Sequence, residues 1–144
     1  MTRKRSTYRP RPLTPPMLIN RGLIEQEIET RERMLVEAFA GGWATTEHFD
    51  NIADMRNVMT LAAAYKNDKS ALAMCEAMRI PMGNMRERHA KTGRLGLTGD
   101  ELQLLRAFVD AYRDFWIRQP VKLYMMACDE LNKAHQLGLM KEAA

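Results

Sequence analysis

Apolar side chains recur every three or four residues along most of this chain, the spacing that places them on one face of an α-helix. The first such stretch runs from Leu18 to Ala40, with an apolar face made of Ile24, Ile28, Leu35 and Phe39. Further helical stretches begin at Thr45 or Thr46, at Asp68 or Ser70, at Thr98 and at Val121. Alternation with a period of two is confined to one short candidate strand, Arg94–Leu97. The pattern predicts an all-α protein, a compact bundle of four to five helices.

Residues that cap or break helices mark the ends of these stretches. The Gly41-Gly42 pair follows the first one, where glycine is favoured at the carboxyl end of a helix. Thr98 and Glu101 have the spacing of a capping box at the start of another. Pro81 interrupts the third stretch, because proline has no backbone N–H and crowds the carbonyl four residues earlier. The third helix either kinks there, or stops near Arg79 and restarts with Pro81 at its first position.

The positive charge of the chain is concentrated at its amino terminus. The sequence has 22 basic and 18 acidic residues, a formal net charge of +4. No acidic residue precedes Glu25, and five basic residues lie in the first eleven: Arg3, Lys4, Arg5, Arg9 and Arg11. The rest of the chain contains 17 basic and 18 acidic residues, so it is nearly neutral. Because four of the six prolines also lie before residue 17, we expect an extended basic arm at 1–16 and one helical domain at 17–144.

Two interpretations of this arm remain open. A cationic arm with Tyr8 among its arginines can neutralise phosphates or lie in a minor groove of DNA. A solubilising tail, or an arm that packs on a partner subunit, is the interpretation that we favour. A second basic cluster raises the same question at Arg79, Arg86, Arg88, Lys91 and Arg94. Since these side chains point in several directions on an ideal helix, a solvated face is favoured over a phosphate-binding surface.

Methionine is unusually frequent, with 12 in 144 residues. If the third helix continues through Pro81, four methionines share one side of it: Met74, Met78, Met82 and Met85. Core packing is the favoured interpretation of this stripe. The alternative is an adaptable apolar surface that binds a partner protein, with Trp43 and Trp116 as its aromatic anchors.

Cysteines and histidines are dispersed along the chain. Cys75 and Cys128 have no second cysteine or histidine at metal-ligand spacing, so they predict buried thiols and not a zinc site. The three histidines fall in three different segments: His48, His89 and His135. Nucleophilic catalysis needs a base that contacts the nucleophile and a third group that orients the base, and no such arrangement is indicated here.

The acidic pairs and the glycine-rich connector also have simpler structural interpretations. Asp50/Asp54 and Asp110/Asp114 are each one helical turn apart, but a helical di-metal site also needs Glu-x-x-His, a pattern that this sequence does not contain. The connector 93–99 is followed by two acidic residues that would repel a phosphate, so it is predicted to be a turn. We therefore predict a protein that is not an enzyme and uses no metal or cofactor.

The hydropathy of the chain predicts a cytoplasmic protein that does not enter membranes. No apolar run approaches the 18 or so residues of a membrane span. The basic start is followed by proline-rich sequence at the position where a signal peptide has its apolar stretch.

Three segments carry a resemblance to known proteins: the Thr-Arg-Lys-Arg-Ser-Thr-Tyr-Arg-Pro-Arg-Pro opening, Ala44-Thr-Thr-Glu-His-Phe-Asp, and Leu97-Thr-Gly-Asp-Glu-Leu-Gln-Leu-Leu. In this order they resemble a group of small proteins encoded by phages and prophages of Pseudomonas- and Burkholderia-type bacteria. The resemblance implies a small accessory protein that acts in the cytoplasm of an infected bacterium. It implies no particular activity and no functional residue.

These observations predict a non-enzymatic interaction protein. We expect a self-associating helical bundle that presents an apolar Met/Trp surface to a host or phage protein. It would modulate or inhibit that protein, for example a host defence or regulatory complex. The alternative is a nucleic-acid-binding accessory factor that contacts phosphates through the arm and the cluster at 79–94.

Overall fold

The computed structural model describes the backbone of residues 14–138 and the side chains from residue 25 to residue 138. This part of the chain contains six α-helices: α1 (Thr14–Gly41), α2 (Thr46–Lys66), α3 (Lys69–Ala77), α4 (Arg79–Thr92), α5 (Gly99–Ile117) and α6 (Val121–Leu137). Since Met78 alone separates α3 from α4, these two form one interrupted helix, and the predicted all-α bundle of four to five helices is confirmed. Residues 14–138 form no strand. The predicted strand Arg94–Leu97 is therefore wrong, and this segment is an irregular connector.

The predicted arm lies mostly outside the described residues, as does the side chain of Ile24 in the first apolar stripe. Residues 1–13 are not described, whereas α1 already begins at Thr14 and includes the last three residues of the expected arm. Pro15 and Pro16 therefore fall in the first turn of α1. A helix tolerates proline there, because the first backbone N–H groups have no partner within the helix.

Local capping sets the ends of the helices. Gly42 adopts a positive φ of 77° after α1, a conformation that glycine reaches at little cost. The Asp68 side chain accepts the Ala71 backbone N–H at 3.1 Å and so caps the start of α3. At the start of α5, the predicted capping box between Thr98 and Glu101 is confirmed by reciprocal hydrogen bonds of 3.0 and 3.2 Å.

The interruption near Pro81 differs from both predicted arrangements. α3 ends at Ala77, and α4 starts at Arg79, so Pro81 is the third residue of α4 and not the first. Met78, between them, donates its backbone N–H to the carbonyl oxygen of Cys75 at 3.3 Å. The third position is still within the turn whose N–H groups lack partners, so proline there removes no hydrogen bond within α4.

One apolar core joins the helices, with α2 packed against α3 and α6, and α1 packed against α5. α5 contributes six buried side chains: Leu105, Phe108, Val109, Tyr112, Phe115 and Trp116. Trp116 lies edge-on to the rings of both Phe115 and Tyr124, with 4.9 Å between ring centroids in each case. The contact between Trp116 and Tyr124 joins α5 to α6. None of the helices within residues 14–138 has the length and apolar character needed to cross a membrane.

Candidate functional site

Six apolar residues were predicted to bind a partner protein. In the structure, most of them lie in the core and not at the surface. Four of them are core residues that are each at most 6% exposed: Met78, Met82, Met85 and Trp116. The idea that these four form an exposed surface is therefore wrong for the single chain, because their side chains pack in the shared apolar core. Met74 is half-buried against that core. Trp43 alone of the six is exposed, with 53% of the residue accessible to solvent.

Trp43 is held in place at the turn between α1 and α2. Its backbone N–H donates to the carbonyl oxygen of Ala38 at 3.0 Å. Its ring lies edge-on to the His48 ring, with 5.4 Å between centroids. The indole also lies against Gly41, where an added Cβ would come within 2.7 Å of the indole nitrogen. These contacts restrict the orientation of an exposed tryptophan, and a side chain at position 41 would displace the indole.

A groove between α1 and α2 opens beside this tryptophan. The α1–α2 groove has a volume of about 480 Å³ and is bounded by Met34 and Leu35 on one side and by Glu47, His48 and Asn51 on the other. His48 joins the groove to the exposed indole, because it lines the one and contacts the other. Met34 is itself 50% exposed. Polar and charged side chains complete the rim: Gln26, Glu27, Thr30 and Arg31.

Three members of the predicted basic cluster contact other side chains of the chain. Arg79 pairs with Glu76, with 2.7 Å between Nε and Oε2. The Arg86 guanidinium lies over the Phe49 ring, 5.8 Å from its centroid. Two further members are exposed: Lys91 and Arg94. The favoured interpretation, a solvated face whose residues point in different directions, stays a prediction.

Arg88, the remaining member of the cluster, stabilises the connector between α4 and α5. Its Nη2 donates to the carbonyl oxygen of Gly96 at 2.8 Å and also pairs with the Glu101 carboxylate. Glu101 accepts the backbone N–H of Thr98 through the same carboxylate oxygen. One carboxylate thus caps α5 and anchors α4, so Arg88 has a structural role and is not available to a phosphate.

Replacing Glu101 by Ala is expected to lower the free energy of unfolding by about 2 kcal/mol, the sum of a lost helix cap and a lost charge-assisted hydrogen bond. Urea denaturation followed by circular dichroism measures this change. Asp100→Ala is the matched control, since Asp100 is an exposed acid in the same first turn. Equal losses for the two variants would contradict the assigned role of Glu101.

The structure brings one of the histidines singled out for chemistry close to one residue of the acidic pairs. His48 accepts the Thr45 backbone N–H through Nδ1 at 3.0 Å, so it caps α2. His135 lies 3.9 Å from Asp54, a carboxyl whose pKa is raised by burial. Burial also raises the pKa of the Cys75 and Cys128 thiols, which makes both poorer nucleophiles. Residues 14–138 contain no group of three or more His, Cys, Asp or Glu side chains that could hold a metal ion.

Glu32 is a buried carboxyl that the sequence analysis did not single out. Only 6% of it is exposed, and its pKa is raised to about 7, first by burial and then by neighbouring acids including Asp110. The Arg113 guanidinium, 3.9 Å away, acts in the opposite direction. The signal was present in the sequence, because Glu32 occupies the helical register between Ile28 and Leu35 and therefore lies in the apolar stripe of α1.

Comparison with known proteins identifies no relative: no family model, no curated protein and no solved structure matches this chain.

Proposed function

We propose that this protein is a non-enzymatic phage accessory protein that binds a host or phage protein in the bacterial cytoplasm and modulates it, in the simplest case by inhibition. The observation that supports this function best is the pre-organised, 53% exposed Trp43 beside the α1–α2 groove. The phage context rests on the resemblance of the sequence segments given above.

Trp43 has the properties of an anchor residue in a protein interface. Tryptophan is among the residues that contribute most to binding energy when an interface covers them. Because His48, Gly41 and the Ala38 carbonyl already restrict its position, binding would cost little side-chain entropy. Met34 offers a second apolar contact that adapts its shape to the partner.

The groove favours an amphipathic helix of the partner as the bound element. A helix that binds in a groove places one apolar face between two supporting helices, and α1 and α2 provide such a cleft. Between residues 25 and 37, α1 carries five acidic and two basic residues. A partner helix with basic residues flanking its apolar face would match this charge. The bound helix would then be withheld from its other partners, which is a steric mechanism of inhibition.

The nucleic-acid alternative receives less support from the described residues. Arg79 and Arg88 are paired with carboxylates, and Arg86 lies over an aromatic ring. Nucleic-acid binding would therefore depend on Lys91, Arg94 and the basic residues before residue 12. The predicted homo-oligomer is not required by either mechanism and stays a prediction.

Affinity capture from infected bacterial lysate, with nuclease added, tests the proposal. The captured protein is then purified, and its dissociation constant is measured for wild type and for the double variant Met34→Ser/Trp43→Ser. We expect the double variant to bind at least about tenfold more weakly, as the loss of an interface anchor predicts. Ile80→Ser is the control for a lost exposed apolar group, since Ile80 is 65% exposed on α4.

Two results would contradict the proposal. Capture that disappears on nuclease treatment would favour the nucleic-acid alternative. Equal affinity of the double variant and wild type would show that the α1–α2 groove is not the binding surface. Circular dichroism of each variant verifies that the fold is retained.

A further inference from the structure

Glu32 places a carboxyl in the contact between α1 and α5, where little compensates for its burial. Only 8% of its side chain is exposed, and its Oε2 atom is buried and accepts no hydrogen bond from the part of the chain that the structure describes. Its Oε1 atom lies 3.9 Å from Nη1 of Arg113 on α5, too far for a hydrogen bond. A carboxylate that loses its water without gaining hydrogen bonds is costly, so this position favours the uncharged acid.

The other charged groups around Glu32 also bear on its ionisation. They are Glu29 with its partner Arg33 on α1, and Asp110, Arg113 and Asp114 on α5. Burial has the largest effect on the pKa of Glu32 and raises it, Arg113 lowers it, and the three acids raise it again. The Arg113 guanidinium also lies 3.5 Å from Asp110, so two acids share it. Ionisation of Glu32 would therefore add a negative charge to a region that already holds three.

The contacts of α1 allow it to respond to this charge without the unfolding of the other helices. It packs mainly on α5, and a single turn at 42–45 joins it to α2. The packing of α2 on α3 and α6, and of α3 on α5, does not involve α1. A helix with such contacts can open locally at a lower free energy than global unfolding requires. Opening would bring the Glu32 carboxylate into contact with water.

We propose that Glu32 is a pH-dependent switch, which holds α1 on α5 when the carboxyl is protonated and releases α1 when it ionises. α1 also forms one side of the α1–α2 groove, through residues that include Met34 and Leu35, two and three positions after Glu32. Release of α1 would therefore take the groove apart. The control of partner binding by this switch rests on the proposed function, whereas the release of α1 does not.

The direction of the pH dependence follows from the linkage between proton binding and opening. When α1 is closed, Glu32 holds its proton with a pKa of about 7, whereas the opened helix returns the carboxyl to its ordinary value of 4.5. α1 is therefore held most firmly at pH 4.5 and below, and it opens more often as the pH rises to about 7. Above pH 7 the carboxyl is ionised in both forms, and the opening equilibrium becomes constant.

Hydrogen–deuterium exchange of the full-length protein without a partner, at pH 5 and at pH 8, tests the switch. After correction for the intrinsic exchange rate at each pH, the opening equilibrium constant of residues 25–41 should be at least about tenfold larger at pH 8. The segment 69–77 of α3 should show a much smaller increase. Glu32→Gln keeps the size of the side chain but cannot ionise, so it should remove the increase at 25–41.

Glu37→Gln is the matched control, because Glu37 is an exposed acid on the same helix and its replacement should leave the increase in place. An opening equilibrium of residues 25–41 that is independent of pH in wild type would overturn the switch. The same pH dependence in Glu32→Gln would overturn it too. An equal increase in all six helices would also overturn it, since the protein would then lose stability as a whole.

A binding measurement separates the switch from the proposed function. The ratio of the dissociation constant of wild type to that of Glu32→Gln, measured with the captured partner, should rise from pH 5 to pH 8. A constant ratio would overturn the control of binding by Glu32. A protein that opens at 25–41 as expected but captures no partner would support the switch and overturn only the proposed function.

Discussion

Replacing Met85 by Ala is expected to destabilise the protein by about 2–5 kcal/mol, the range observed when a buried methionine or leucine is truncated. Met85 is 0% exposed and belongs to the core cluster together with Met78 and Met82. The alanine would leave a cavity that the neighbouring side chains fill only in part. Chemical denaturation, with the slope checked against wild type, measures the change in the free energy of unfolding.

A second methionine provides the matched control for this variant. Met125 lies on α6 and is 44% exposed, and methionine and alanine both favour helices. Met125→Ala should therefore change the free energy of unfolding by less than about 0.5 kcal/mol. A small effect at Met85, similar to that at Met125, would mean that Met85 is not packed in the core and would restore the exposed methionine surface.

Replacing Glu32 by Gln is expected to make the protein more stable than wild type above pH 7, but not near pH 4.5. The folded protein holds the Glu32 proton with a pKa of about 7, whereas the unfolded chain releases it near its ordinary value of 4.5. A group that binds its proton more tightly in the folded state loses stability as the pH rises between these values. The loss for wild type is about 3 kcal/mol in total, at about 1.4 kcal/mol per pH unit.

Chemical denaturation at pH values from 4.5 to 8 measures this effect. The quantity compared is the difference in the free energy of unfolding between the Gln variant and wild type. Glutamine does not titrate, so the difference should grow with pH and level off above pH 7. Glu37→Gln, a change at an exposed acid on the same helix, is the control. A difference for Glu32→Gln that does not change with pH would show that folding does not raise the pKa of Glu32, and would contradict the account.

The helices and their ends could be predicted because their causes are local. Thr98 and Glu101 lie three residues apart, so the capping box that starts α5 is visible in the sequence. The apolar residues of α5 repeat with helical spacing, and Leu105, Val109 and Tyr112 in this repeat are all buried. Local rules of this kind do not depend on tertiary contacts with the rest of the chain.

The sequence favoured a core position for Met85 without deciding it, and it missed the role of Arg88, because both depend on tertiary contacts. A methionine stripe has the same spacing whether it lies in a core or on a surface, and only packing decides between them. In the sequence, Arg88 belongs to a basic cluster. Its contact with Glu101, 13 residues later in the chain, is formed only in the folded protein. The exposure of Trp43 depends on the turn geometry at Gly41 and Gly42, and on the contact with His48.

Glu32 was missed for a different reason. Its register in α1 is that of a core residue, and the stripe through Ile28 and Leu35 indicated burial. A charged residue in such a stripe is usually assigned to the solvated face. The conflict between the charge of Glu32 and its position in the stripe was therefore not taken as a sign of a buried carboxyl. Such conflicts indicate buried ionisable groups, whose pKa values shift most strongly.

Hydrogen–deuterium exchange of the protein, alone and with its purified partner, tests most directly whether the α1–α2 groove binds a protein. Binding of a partner helix predicts slower exchange in the segments that border the groove, residues 26–35 and 43–51. The segment 79–94 of α4 and the connector should exchange at the same rate with and without the partner. Protection confined to residues 79–94, or absent from both borders of the groove, would contradict the proposed function.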